Sequence, residues 1–118
     1  MRQAHTYTSM SKPSMITLLD LQILTTQNTF DRVGATNDPE RRFGEYKQDE
    51  KYERHMMFYA MVDNQKKEEN ILLSCGGNGL KYNEQRQSNA PEEPGCVYGM
   101  KPISDLEHLM YAAKGICM

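Results

Sequence analysis

The sequence has no tryptophan and little apolar material, since hydrophobic residues make up 38% of its 118 residues. An average globular domain reaches about 45–50% when glycine is counted as well. The mean hydropathy of −0.76 is correspondingly low. A chain of this length suits one domain with a single core. We therefore expect a thin core, with long segments at the surface or against a partner.

Long apolar runs are also missing. No stretch of about 18 apolar residues is present, so the sequence predicts no membrane span. The N-terminus lacks the apolar segment of a signal peptide. Residues 1–14 are polar and predict a tail, which leaves 15–118 as a single small domain. The formal net charge of −2 argues against bulk attraction to nucleic acid or to an anionic membrane.

Cysteine is scarce and its spacing is uninformative. The three cysteines, Cys75, Cys96 and Cys117, form no CxxC pair. An odd number argues against an intact disulfide framework. This pattern indicates a reducing compartment, and we expect a cytoplasmic protein. A bond between Cys96 and Cys117 stays open at this stage.

Metal and cofactor motifs are absent from the sequence. The histidines, His5, His55 and His108, lie far apart and show neither HxH nor HxxxH spacing, which is common when two ligands share one strand or helix. The phosphate-loop patterns GxGxxG and GxxxxGK[ST] do not occur, although glycines cluster at residues 76–79. We therefore predict no metal ion and no cofactor.

Two helix signals occur in the first half of the chain. Met15–Leu24 is rich in apolar residues, and Ser14 can cap a helix that starts there. Asp38 followed by Pro39 supplies a cap acceptor and a proline at the first helical position. We predict one helix over residues 15–24 and a second, highly charged helix over residues 38–54.

Strand signals follow in the middle of the chain. The apolar window His55–Val62 suits a buried strand, although its methionines and alanine also suit a helix. Ile71–Cys75 reads as a second strand. Asn78-Gly79 is a strong hairpin pair, and Leu80–Tyr82 alternates as a third strand would. Together these segments predict an antiparallel meander.

The remaining segments complete the predicted fold. Residues 31–37 and 84–95 read as loops because they combine polar residues with glycine or proline. Cys96–Tyr98 suits a short edge strand. A capping box at Ser104 predicts a C-terminal helix over residues 104–114. The predicted class is α+β: a small antiparallel meander packed against the C-terminal helix, with one or two further helices.

The glycine-rich segment after Ile71–Cys75 supports three interpretations. A hairpin turn is favoured. An anion-binding turn at Gly76–Gly79 would need backbone N–H groups that converge on the ligand. A catalytic thiol at Cys75 would need a base, for which His55 and His108 are the candidates. No second motif selects a reaction, so the sequence favours a protein without catalytic activity.

Basic and aromatic residues are combined at Arg41-Arg42, Phe43 and Tyr46, a pairing that RNA-binding surfaces use. Glu40 and Glu45 stand beside them and offset the charge. Nucleic-acid binding is therefore not favoured.

Nine methionines and seven tyrosines supply much of the apolar material, and methionine is common at adaptable binding surfaces. With no catalytic motif and a thin core, the sequence predicts a small intracellular protein-binding module: an accessory subunit, adaptor or inhibitor that forms a homo- or hetero-oligomer. The alternative is a small enzyme or a ligand- or anion-binding domain centred on Cys75 and Gly76–Gly79. The predicted partner contacts are aromatic or methionine residues, namely Phe43, Tyr46, Tyr52, Met56, Met57, Phe58 and Met61.

Overall fold

The computed structural model of the protein describes residues 12–104 and residue 106. Within this part, four strands and three α-helices alternate along the chain. Two short 3-10 turns cover Glu50–Tyr52 and Gly77–Gly79. The strands are β1 (Ser14–Met15), β2 (Arg32–Thr36), β3 (His55–Val62) and β4 (Gly95–Pro102), and the helices are α1 (Leu18–Thr26), α2 (Pro39–Tyr46) and α3 (Gln65–Gly76).

The four strands form one mixed sheet in the order β1-β3-β4-β2. Strand β4 lies inside the sheet and runs antiparallel to both β2 and β3. The two-residue strand β1 pairs parallel with β3. The α+β class predicted from the sequence is confirmed, although the strands pair in a different order from a meander.

Each face of the sheet buries its own core, because successive side chains of a strand point to opposite faces. On one face, Val97 of β4 packs with the inner residues of α1 and α3, such as Leu21 and Leu72. On the other face, Tyr98 and Met100 of β4 pack against α2 and the turn that follows it. Helices therefore cover the sheet on both sides, and α2 covers the side on which Tyr98 lies.

Side-chain caps fix where the helices begin. Asp38 accepts a hydrogen bond from the backbone N–H of Arg41, and Pro39 takes the first position of α2. The predicted start of that helix is confirmed. The predicted start of the first helix at Ser14 is wrong, because Ser14 lies in β1 and the cap of α1 is Thr17.

The predicted strand at Ile71–Cys75 is wrong, and so is the predicted hairpin at Asn78-Gly79. Both segments belong to α3 and the 3-10 turn that directly follows it. A short apolar run is ambiguous in sequence. Here Leu72 and Leu73 form the buried inner face of a helix that Asn64 caps.

The sheet also contains two segments that the sequence placed elsewhere. Residues 31–37 were predicted as loop, but Arg32–Thr36 is strand β2. Cys96–Tyr98 was predicted as an edge strand but belongs to β4, which has a neighbour on both sides. The structure of both segments depends on pairing with strands that are distant in the sequence, and local strand propensity does not reveal such pairing.

Most of the helix predicted over residues 104–114 and of the tail predicted over residues 1–14 lies outside the described residues, which include only 104 and 106 of the helix and 12–14 of the tail. The predicted loop is confirmed for residues 84–94, which contain no helix or strand. Across the described ranges, no helix is both long enough and apolar enough to cross a membrane.

Asn83 covers the outer edge of β2. The backbone N–H of Val33 donates to Oδ1 of Asn83 at 2.8 Å, and Nδ2 of Asn83 donates to the carbonyl of Val33 at 2.9 Å. One side chain thus replaces the neighbouring strand that an edge strand lacks. It also holds the loop of residues 80–94 against β2.

Replacing Asn83 with alanine should lower the free energy of unfolding by about 1–2 kcal/mol, because two backbone groups of Val33 lose their partners. The midpoint of urea unfolding measures this change. The matched control is Gln87→Ala in the same loop, where the side chain is exposed and the expected change is within about 0.5 kcal/mol. Equal midpoints for the two variants would contradict the role given to Asn83.

Candidate functional site

The predicted partner contacts do not form one exposed surface. Four of the seven, Phe43, Tyr52, Met56 and Met57, are at most 4% exposed. Tyr46 and Phe58 are half-buried, and Met61 is 66% exposed. Phe43, Tyr52 and Met57 belong to the core on the face that α2 covers, and Met56 is buried on β3. These four side chains therefore offer no contact area to a partner in this fold.

The candidate catalytic pair of Cys75 and His55 is not brought together. Cys75 is exposed on α3, on one side of the sheet. His55 is buried on the other side, where its ring packs against Tyr52 and Tyr82. The second candidate base, His108, lies outside the described residues.

The Gly76–Gly79 turn has the wrong polarity for the predicted anion site. It follows the C-terminal end of α3, where the free backbone groups are carbonyls and the helix dipole is negative. The carbonyl of Gly77 already accepts a hydrogen bond from Arg86 at 3.0 Å. An anion would meet acceptors at this end of the helix.

Basic side chains gather instead in a cleft at the edge of β2, with a volume of about 520 Å³. We call it the arginine cleft. Arg32 comes from β2, Arg42 from α2 and Lys51 from the turn after α2, while the loop of residues 82–90 forms the opposite wall. An adjoining hollow of about 320 Å³ shares the same three cations.

Arg32 is held in place by neutral oxygen atoms. Its Nη1 donates to the carbonyl of Tyr82 at 3.1 Å and, more weakly, to the hydroxyl of Tyr52 at 3.4 Å. Its guanidinium carbon lies 5.5 Å from the centre of the Tyr46 ring. Its Nε is buried without a hydrogen-bond partner. Within the described residues, no carboxylate lies within 4.0 Å of this guanidinium.

Arg42 is only loosely paired with an acid. Its Nε lies 3.2 Å from a carboxylate oxygen of Glu45, but the N–H is not aligned for a hydrogen bond. Glu45 also binds Arg41 at 2.7 Å, so one carboxylate serves two arginines. The guanidinium of Arg42 lies beside the hydroxyl groups of Tyr46 and Tyr98.

Two tyrosine hydroxyls meet beside the cleft, since Tyr98 lines the cleft and Tyr46 lines the adjoining hollow. The hydroxyls of Tyr46 and Tyr98 share a hydrogen bond of 2.6 Å. Burial raises the pKa of Tyr98, so its phenol stays protonated at neutral pH and keeps a hydrogen to donate. Gly34 makes this placement possible, because a Cβ there would lie 2.4 Å from the Tyr98 hydroxyl oxygen.

Gly34→Ala should lower the free energy of unfolding by about 1–3 kcal/mol, because the added methyl group forces the buried Tyr98 ring to move. Gly44→Ala on α2 is the matched control, since nothing lies within 4 Å of its Cβ position. This control should raise the stability by up to about 1 kcal/mol, the difference in helix propensity. Thermal or urea unfolding of both variants measures the contrast, and a Gly34→Ala variant as stable as the control would refute the packing described here.

The cleft is suited to holding an oxyanion between charged and neutral donors. Three cations face it, together with two carboxylates, Glu69 and Glu84. Glu69 accepts a hydrogen bond from the hydroxyl of Ser88.

In the described part of the chain, no group of three or more His, Cys, Asp or Glu side chains is placed to hold a metal ion. No protein-family model, curated protein or solved structure matches this chain.

Proposed function

We propose that this protein binds a small anionic ligand through a phosphate or sulfate group seated in the arginine cleft. The observation that carries the proposal is Arg32. This guanidinium is half-buried, has a buried Nε without a partner, and lies beyond 4.0 Å of every carboxylate in the described residues. Its direct contacts are an aromatic ring and neutral oxygens.

A charge withdrawn from water is costly unless an opposite charge or a full set of hydrogen bonds compensates for it. The two protein acceptors of Arg32 are neutral, and both bind the same nitrogen, Nη1. A bound oxyanion supplies the missing negative charge. Guanidinium groups suit this task because their planar N–H groups match the geometry of phosphate and carboxylate oxygens.

The shape of the cleft points to a ligand larger than a bare ion. A volume of about 520 Å³ falls within the range of about 300–1,000 Å³ typical of small-molecule sites. Amide side chains of Gln85, Gln87 and Asn89 line the loop wall and can bind polar groups next to the phosphate. Glu69 and Glu84 offset part of the positive charge, which favours a ligand of low net negative charge.

Arg32→Gln and Arg42→Gln should each weaken binding of inorganic phosphate or sulfate by at least about tenfold, because a hydrogen bond to a charged group contributes about 1.5–3 kcal/mol. Isothermal titration calorimetry measures the affinity. Arg41→Gln is the matched control on the same helix, since Arg41 is exposed and pairs with Glu45 outside the cleft.

The control should bind the anion within about twofold of the wild type, as expected for an exposed charge. Equal losses in all three arginine variants would indicate nonspecific attraction to positive charge. Wild-type protein that binds neither phosphate nor sulfate would refute the proposed function.

A second proposal retains the protein-binding module predicted from the sequence, as a small intracellular accessory subunit, adaptor or inhibitor. It is supported by exposed apolar side chains on β1 and β3. Met15 is 64% exposed and Met61 is 66% exposed. Met15 pairs with Tyr59, and residues 59 and 61 of a strand point to the same face. These three residues therefore lie together on one face of the sheet, next to the edge that β1 forms.

If this edge binds a partner or a second copy of the chain, Met61→Glu should abolish the association and leave anion binding unchanged, because a buried unpaired charge is costly. Sedimentation velocity of the wild type and the variant, alone and after incubation with native lysate, tests this. The control is Leu19→Glu, an equally exposed apolar residue on α1. Wild-type protein that stays monomeric and retains no partner would contradict the proposal.

A further inference from the structure

A buried histidine–aspartate pair lies next to the arginine cleft. His55 Nε2 and Asp31 Oδ2 are 2.8 Å apart, and their side chains are 6% and 7% exposed. The other ring nitrogen, Nδ1 of His55, and the other carboxylate oxygen, Oδ1 of Asp31, are buried and have no hydrogen-bond partner among the described residues. The pair is therefore only half satisfied, although burial makes its charge state energetically important.

Short contacts connect this pair to the cleft. Asp31 directly precedes Arg32, and the carbonyl of Asp31 accepts a hydrogen bond from the N–H of Tyr82 at 2.9 Å. The Tyr52 ring, whose hydroxyl accepts from Arg32, meets the His55 ring edge-on with the ring centres 5.1 Å apart. The Tyr82 ring lies 6.3 Å from His55. Within the described residues, Tyr52 thus connects the imidazole to Arg32, and Tyr82 connects it to the cleft that its own side chain lines.

We propose that His55 takes up a proton when an anion occupies the arginine cleft, so that ligand binding and the charge of the buried pair are coupled. This inference rests on the proposed function. When no anion is bound, the cations of the cleft disfavour a positive charge on the imidazole. An anion bound there cancels their field and favours the protonated ring, whose charge Asp31 then balances.

The charged and titratable groups around His55 agree with this direction. Asp31 is the carboxylate in contact with the ring. Lys47, at the end of α2, donates to the backbone carbonyl of His55 at 2.7 Å. Lys51 lies 4.9 Å from the centre of the Tyr82 ring. Among the described residues, Asp31, Tyr52 and Tyr82 contact the imidazole. Arg32 and Lys51 contact those tyrosines, and Lys47 contacts the backbone of His55.

Thermodynamic linkage sets the direction in which the anion affinity changes with pH. If the bound state holds more protons than the free state, affinity is highest at low pH and falls as the pH rises through the range in which histidine titrates, near about pH 6.5.

Sulfate is the appropriate probe because it remains a dianion across this range. Its binding to the full chain is measured by isothermal titration calorimetry between about pH 5.5 and about pH 8, in two buffers of different ionisation enthalpy. We expect proton uptake on binding and an affinity about tenfold higher at the acidic end, as for a typical coupling between two sites. His55→Gln should abolish both effects, whereas the matched control His108→Gln should retain them.

Four outcomes separate the two proposals. Proton uptake that is lost in His55→Gln and kept in the control supports the coupling. Uptake that persists in His55→Gln, or an affinity independent of pH, overturns the coupling and leaves the binding site intact. Absence of sulfate binding at every pH overturns both. If His55→Gln does not fold, the ring resonances of His55 in the wild-type protein, followed by NMR through a pH titration with and without sulfate, give the same answer.

Discussion

The close packing of Tyr98 on Gly34 is the contact on which the arginine cleft depends. Antiparallel pairing of β2 with β4 sets these residues opposite each other, and the missing side chain at Gly34 lets the tyrosine ring lie across β2. The Tyr98 hydroxyl then meets that of Tyr46 on α2. One register therefore fixes the sheet, the position of α2 and, through α2, the position of Arg42.

Local chemistry made some elements predictable from the sequence. The start of α2 follows from Asp38 and Pro39, whose preference for a helix N-terminus does not depend on distant contacts. The strand His55–Val62 follows from an apolar run long enough to cross the sheet. The start of α1 was misplaced because Ser14 and Thr17 can both serve as caps, and the pairing of Ser14 with Phe58 decides between them.

Nonlocal contacts determined what the sequence could not show. Residues 71–75 satisfy either a strand or a helix pattern, and the choice depends on which surface covers Leu72 and Leu73. Residues 31–37 contain turn-forming residues, yet become a strand because β4 and Asn83 satisfy both edges of β2. The cleft was missed for the same reason. Arg42 stands beside aromatic residues in the sequence, but Arg32 falls in a segment whose turn-forming residues predict a loop.

The two halves of the molecule use their few apolar residues differently, which explains how a polar chain builds this site. Aliphatic side chains and Phe30 fill the core beneath α1 and α3, whereas aromatic and methionine residues fill the core beneath α2. Tyrosines can bury their rings and still direct a hydroxyl toward a polar surface. The core beneath α2 is thus also the wall of the arginine cleft. A substitution that replaces Tyr46 or Tyr98 for tighter packing would remove part of the site, so stability and ligand binding are opposed on this side of the sheet.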